Sequence, residues 1–239
     1  MTKQKEGNCS VCGEYGQLTY EHIPPKGAFN SRQIKIKTHE NIFEKESYLF
    51  QKSSTLNKGY GKYCLCSNCN NFFGGAYCNE YIDIVKQCYN FFDNNIRSNR
   101  SNDILLKIKP LNVLKQITAI YICLNSGYID ESDKEQIKNF LLEKDNQFLP
   151  EKYSFHIFNT FKTLPRWIGN QTVLQNGTIS NYSEMIFSPF GIQFCVNSSP
   201  SDMRMVNITD FKKFRYNEEV DLIFRLPIIE KNNPLYNGD

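Results

Sequence analysis

The spacing of apolar residues changes period along this chain. Near the N-terminus, Leu18-Thr19-Tyr20 reads as a short strand that delivers Glu21 and His22, and Pro24 and Pro25 stop it because proline cannot donate to a ladder. Residues 1–8 are polar and are expected to fray. Between residues 75 and 95 the period becomes helical: Tyr77, Tyr81, Ile84, Val85, Cys88 and Phe92 form a stripe that belongs in a core. A second helix is expected over Leu111–Leu124, just after Pro110. A third is expected from Ser132, with Glu135 three residues on as a capping box, through Ile137, Phe140 and Leu141 and ending before Pro150. From Tyr153 onward the runs are alternating and β-branched. Strands are expected at Tyr153–Phe161, Thr172–Ser180, Glu184–Phe187, Ile192–Val196 and Val220–Leu226, with Asn176-Gly177 as a hairpin turn. The Asn-, Arg- and Ser-rich stretch Asp93–Asp103 reads as a linker, which divides the chain into residues 1–100 and 101–239. The fold class is therefore α+β, its second part helices followed by a mainly antiparallel β region.

Residues 26–62 break the pattern as a long polar insertion. It holds Lys26, Arg32, Lys35, Lys37, Lys45, Lys52, Lys58 and Lys62 against Glu40, Glu44 and Glu46, about +5, while the whole chain carries only +3. Phe29, Phe43, Tyr48, Phe50 and Tyr60 are interleaved, and Tyr63 follows. This is either a solvated loop around a small aromatic cluster or a surface that contacts phosphates. The remaining composition is that of an ordinary globular chain of 239 residues, 40% hydrophobic and 22% charged. No apolar run approaches the ~20 residues of a membrane span, and the N-terminus lacks an apolar signal segment, so a cytoplasmic protein with reduced thiols is expected.

Four of the nine cysteines stand as Cys9-x-x-Cys12 and Cys66-x-x-Cys69. Two such pairs signal one tetrahedral zinc, and four thiolates leave no position for a substrate, so its role is structural. Gly13 relaxes the turn behind the first pair. Cys64, Cys78, Cys88, Cys123 and Cys195 lack ligand spacing and read as free thiols, mostly buried. Inside this frame sits Glu21-His22, and Asn70 follows Cys69 at once. A hard cation such as Mg²⁺ needs oxygen ligands, which Glu21 and Asn70 can supply, leaving His22 to take a proton from water. An isolated Glu-His pair is more often a surface ion-pair partner; its place between the cysteine pairs singles it out. His39, His156, Arg166-Trp167 and Arg204 are weaker candidates, better explained as solvated, packed or ion-paired side chains.

Cys9-x-x-Cys12, Glu21-His22-Ile23-Pro24-Pro25 and Cys66-x-x-Cys69-Asn70-Asn71 resemble the zinc-bearing HNH (ββα-metal) endonucleases, over about a third of the chain. The resemblance implies an N-terminal zinc-clamped ββα-metal nuclease module. In it His22 is the general base, Glu21 and Asn70 hold a catalytic Mg²⁺ or Mn²⁺, and Cys9, Cys12, Cys66 and Cys69 hold structural Zn²⁺. It implies an endonuclease acting on nucleic acid, DNA first, and by analogy restriction or phage defence in a bacterial cytoplasm. A protein partner would dock on the C-terminal part. The family's loop-orienting Asn is expected about five residues before the third cysteine, where this chain has Gly61; Asn57 lies nearby out of register. The alternative is an HNH scaffold kept as a non-catalytic zinc module that binds nucleic acid or a protein. A third class is an interaction protein served by its C-terminal β part.

Overall fold

The computed structural model describes residues 5–95, 103–125, 129–161, 164–175 and 178–229. Most of the expected linker and the Asn176-Gly177 turn lie outside these residues. The first strand, β1 (Lys5–Asn8), pairs antiparallel with β2 (Tyr15–His22), so the last residues of the stretch expected to fray form an edge strand. Between them Cys9 and Cys12 occupy a tight turn, closed by Gly13 N–H donating to the Cys9 carbonyl at 2.9 Å, with Gly13 at φ +77°. That left-handed backbone favours glycine.

After Pro25 the chain leaves this sheet. β3 (Ile34–Ile36) and β4 (Ser54–Leu56) form a small antiparallel ribbon, with the short helix α1 (His39–Phe43) between them. Thr38 caps α1 in a reciprocal box with Asn41. The expected insertion thus has structure of its own, and its last residues belong to the next strand. That strand, β5 (Gly61–Cys66), returns antiparallel to β2 and gives a sheet of order β1-β2-β5. α2 (Ser67–Ala76) begins at the next residue, and α3 (Cys78–Asn95) follows Tyr77. The helix expected near residues 75–95 is α3, and α2 before it is a helix the sequence did not suggest. The sequence hid it because Ser67–Ala76 contributes only Cys69, Phe73 and Ala76 to the interior, too few to mark a stripe.

The second half opens with β6 (Asp103–Ile108), which sequence periodicity missed because Leu105 interrupts its alternation. α4 (Pro110–Asn125) follows, close to its expected bounds, and every one of its residues is buried. A helix apolar nearly all round must sit inside the protein rather than on it. Its one lysine, Lys115, caps the end of α5 (Lys134–Leu142): Nζ donates to the carbonyls of Glu143 at 2.6 Å and Lys144 at 2.9 Å. Burial pushes the Lys115 ammonium down to about 8. The expected capping box at Ser132 does not form. The chain enters α5 through a 3-10 turn over Glu131–Asp133, and the residue before the helix, Asp133, makes no side-chain cap bond.

The remaining strands are β7 (Tyr153–Asn159), β8 (Arg166–Gln175), β9 (Thr178–Phe187), β10 (Phe190–Val196), β11 (Val206–Asn207) and β12 (Val220–Arg225). Five of them form an antiparallel sheet of order β11-β7-β10-β9-β8, and β12 pairs with β6. α4 packs on one face of the large sheet, where the Tyr121 ring stacks on Phe194 with centroids 3.4 Å apart. Fully burying a ring such as Phe155 contributes about 1.5–3 kcal/mol. On its other side α4 reaches the first sheet, where Lys62 Nζ donates to the Leu124 carbonyl at 3.3 Å. A single buried cluster therefore includes Cys9, Leu65, Tyr81, Leu114, Phe155 and Leu226. The molecule is mixed α/β with several antiparallel sheets. No helix among the described residues is long and apolar enough to cross a membrane.

Candidate metal centre and active site

The two Cys-x-x-Cys pairs meet. Cys9 and Cys12 lie in the β1–β2 turn, which is tied to β5 by Ser10 N–H donating to the Cys64 carbonyl at 2.8 Å. Cys66 ends β5 and Cys69 lies in the first turn of α2, so one pair straddles the strand–helix junction. The four ligand atoms lie within 4.8 Å of one another, and the Cys12 and Cys66 sulfurs are 3.8 Å apart. A tetrahedron with Zn–S bonds of ~2.3 Å has edges of ~3.8 Å. The donor set therefore suits a metal ion such as zinc. Four sulfurs so close cannot all ionise without a cation. The hydrogen bond from Cys69 pushes the Cys9 thiol down, the same bond pushes Cys69 up, and burial pushes Cys12 up to about 11. An ion bound to all four would release those protons. The other five cysteines form no disulfide among the described residues, and Cys64, Cys88, Cys123 and Cys195 are buried.

Glu21 and His22 end β2. The Tyr20 and His22 rings lie together on the outer side of the sheet, with centroids 5.4 Å apart and planes at 89°. Glu21 turns toward the interior, near the Cys78 and Cys123 thiols, as neighbouring residues of a strand do. Burial pushes its carboxyl up to about 7. Among the described residues it makes neither a hydrogen bond nor an ion pair. Asn70, on α2, donates through Nδ2 to Thr19 Oγ1 at 2.9 Å. Thr19 in turn donates to the Leu65 carbonyl at 2.9 Å. Asn70 is thus aimed by its nitrogen, which leaves its oxygen available. His22 Nε2 lies 3.0 Å from the Lys58 carbonyl. A carbonyl only accepts, so Nε2 carries the proton and Nδ1 presents a lone pair.

One residue that sequence reasoning missed holds this loop. Asn30 is 1% exposed. Its Nδ2 donates to the carbonyls of Pro24 and Tyr60, both at 2.7 Å, and its Oδ1 accepts from Tyr60 N–H at 2.8 Å. Together with Ile23 N–H donating to the Tyr60 carbonyl at 3.0 Å, it ties the segment after His22 to the segment before β5. Gly61, where an asparagine was expected, cannot carry one: a Cβ there would lie 2.3 Å from the Glu21 carbonyl oxygen and 2.7 Å from the Tyr20 ring. Asn57 instead accepts from Gln33 Nε2 at 2.8 Å on the surface.

The weaker candidates take structural places. His39 is exposed at the start of α1, with its ring 4.7 Å from Phe43. His156 is buried in β7 with Nε2 3.0 Å from Ser154 Oγ, and burial pushes it down to about 4. Arg166 is buried against Glu184, Trp167 packs against the core cluster, and Arg204 pairs with Asp202 at 2.6 Å. No family model matches the chain, and neither a curated protein nor a solved structure matches it.

Proposed function

We propose that this protein is a metal-dependent endonuclease of the HNH (ββα-metal) type that hydrolyses nucleic-acid phosphodiester bonds. Its module would be the unit β2–β5–α2, clamped by zinc on Cys9, Cys12, Cys66 and Cys69. The contact that carries this proposal is His22 Nε2 to the Lys58 carbonyl at 3.0 Å, because it fixes the tautomer a general base needs. With Nε2–H committed to that carbonyl, Nδ1 accepts a proton from an attacking water. Glu21, which turns inward from His22 along β2, and the free oxygen of Asn70 would be the oxygen donors to Mg²⁺ or Mn²⁺. A divalent cation there supplies charge neutralisation on the scissile phosphate and the leaving oxygen. Glu21 has no protein partner to give up, and a cation favours its ionised form. Asn30 keeps the loop around His22 rigid, which holds the base in place between turnovers.

The non-catalytic alternative drew on the missing loop-orienting Asn. Asn30 ties the segment after His22 to the segment before β5, so a loop-holding asparagine stands at another position. The test is Mg²⁺- or Mn²⁺-dependent cleavage of single- and double-stranded substrates by the parent and by His22→Ala. We expect cleavage to fall roughly 10²- to 10⁴-fold in the variant, with zinc content and melting temperature kept. A parent protein that cuts nothing with either ion would sink the proposal and leave the binding module in its place.

A further inference from the structure

Resting on the nuclease proposal, we infer that the substrate presents an unpaired base beside the cleavage point, that this base stacks on Tyr20, and that cations of residues 26–58 hold the flanking phosphates. Three observations carry it. The first is the Tyr20 ring, 38% exposed on the outer side of the first sheet and edge-on to His22. It is braced by Tyr63, with centroids 5.3 Å apart, and lies across Gly61, so its orientation is set before anything binds. A preset, partly exposed ring binds a flat partner at little entropic cost.

The second is the state of the cations. Lys26, Arg32, Lys35, Lys37, Lys45 and Lys58 are all exposed, and none of their side chains makes an ion pair or hydrogen bond among the described residues. This surface begins at the site itself, because the Lys58 carbonyl is the group that holds His22. The third is that two more rings in the same segment are exposed. Phe43 is 46% exposed and Tyr48 78%, with the Lys52 ammonium 4.6 Å from the Tyr48 centroid. A duplex offers phosphates to cations but hides the faces of its bases. An acidic protein would match the cations and leave the rings unused. Cations interleaved with bare rings suit an unstacked strand, whose bases have faces to offer.

The experiment is fluorescence anisotropy on the zinc-loaded protein without Mg²⁺, using a single strand of ~12 nucleotides and the blunt duplex of the same sequence. The expected result is tighter binding to the single strand. Tyr20→Leu should weaken single-strand binding roughly 5- to 100-fold, while Tyr20→Phe stays within about twofold of the parent. Duplex affinity should move less than about twofold in both. A strand carrying 2-aminopurine tests the parent alone, because stacking on an aromatic ring quenches its emission; an unquenched bound strand overturns the inference even if Tyr20→Leu does not fold. Equal affinity for duplex and single strand, or no change in Tyr20→Leu, overturns the unpaired base and leaves the nuclease proposal standing. Binding to neither strand form overturns both.

Discussion

The cysteine-clamped region and the five-stranded sheet treat charge in opposite ways. In the sheet, buried charge is matched. Arg166 donates to Glu184, whose other oxygen accepts from Gln193 Nε2 at 2.9 Å, and Gln193 is fixed in turn by Ser201 at 2.7 and 2.9 Å. Around the sheet the same habit holds: Lys107 pairs with Glu219, Lys109 with Glu80, Arg225 with Asp103. In residues 20–62 the only ion pair among the described residues is His39 with Glu44 at 3.8 Å. Among the described residues the half-buried Glu21 carboxyl has no hydrogen-bond or ion-pair partner, and a row of exposed cations stands single. A lone exposed lysine costs little, but a desolvated carboxyl with no donor is unfavourable unless something outside the chain completes it. The sheet is polar where its own packing needs it. The cysteine-framed region leaves Glu21, beside His22, without such a match among the described residues.

The comparison breaks most visibly at the cysteines. The sheet stands on packed rings such as Phe155 and Phe158, whereas the first sheet has short strands and depends on the cluster Cys9–Cys12–Cys66–Cys69. Structural zinc contributes of the order of 10 kcal/mol in small domains. Cys69→Ser should therefore abolish metal binding and melt β1, β2 and β5, giving insoluble protein or a loss of several kcal/mol. Elemental analysis checks the parent, and a well-folded parent without zinc would end the claim.

What the sequence made legible follows from how local each signal is. The cysteine pairs declare themselves by spacing alone, and the end of β2 by Pro24-Pro25. α4 is legible because ten of the fourteen residues from Leu111 to Leu124 are apolar and Pro110 stands just before them. β5 was read as insertion because Gly61-Lys62-Tyr63 has no alternation of its own and is defined by its partner across the sheet, with a register shift opposite Thr19/Tyr20. β8 was expected to start at Thr172 because Arg166, Asn170 and Gln171 mask it, and its own register shifts between Ile168 and Gln171. Asn30 had no signal: an asparagine that ties two loops together looks in sequence like any loop asparagine. The chemistry of Glu21 was visible as a residue type. Its lack of a partner was not, because that depends on α3 and α4 closing over it.

The sheet has its own way of failing, through pH. His156 lies in a cross-strand row between Asn207 and Gln193, buried, with Ser154 Oγ bonded to its ring. Burial pushes it down to about 4, whereas an unfolded histidine sits near ~6.5. Between those values the unfolded chain binds more protons than the folded one. Stability is therefore fully present above the unfolded value and is lost as pH falls through the window, by up to about 3 kcal/mol. Denaturant titrations at pH 7 and pH 4.5 check it: His156→Asn should show a flatter fall than the parent. Equal slopes would mean that His156 titrates normally and is less enclosed than its 6% exposure indicates.

The smallest effect on stability is expected where the contrast is sharpest, in the unpaired cations. Lys35 and Lys37 flank Ile36 at the end of β3, both exposed, neither with a side-chain partner. Changing both to glutamate removes no contact, so the melting curve should shift by less than about 0.5 kcal/mol. Reversing a paired cation such as Lys107 or Arg225 would instead break a solvent-screened ion pair, itself a weak contributor to stability. Function should respond the other way. If these lysines neutralise phosphates, the double variant loses counterion release, and the slope of log affinity against log salt should flatten by roughly one per lysine. Affinity at low salt should fall most, and the two proteins should converge as salt rises. A salt series in which both bind identically would make residues 26–62 an ordinary solvated loop, and the absence of partners around Lys35 and Lys37 would then reflect exposure alone.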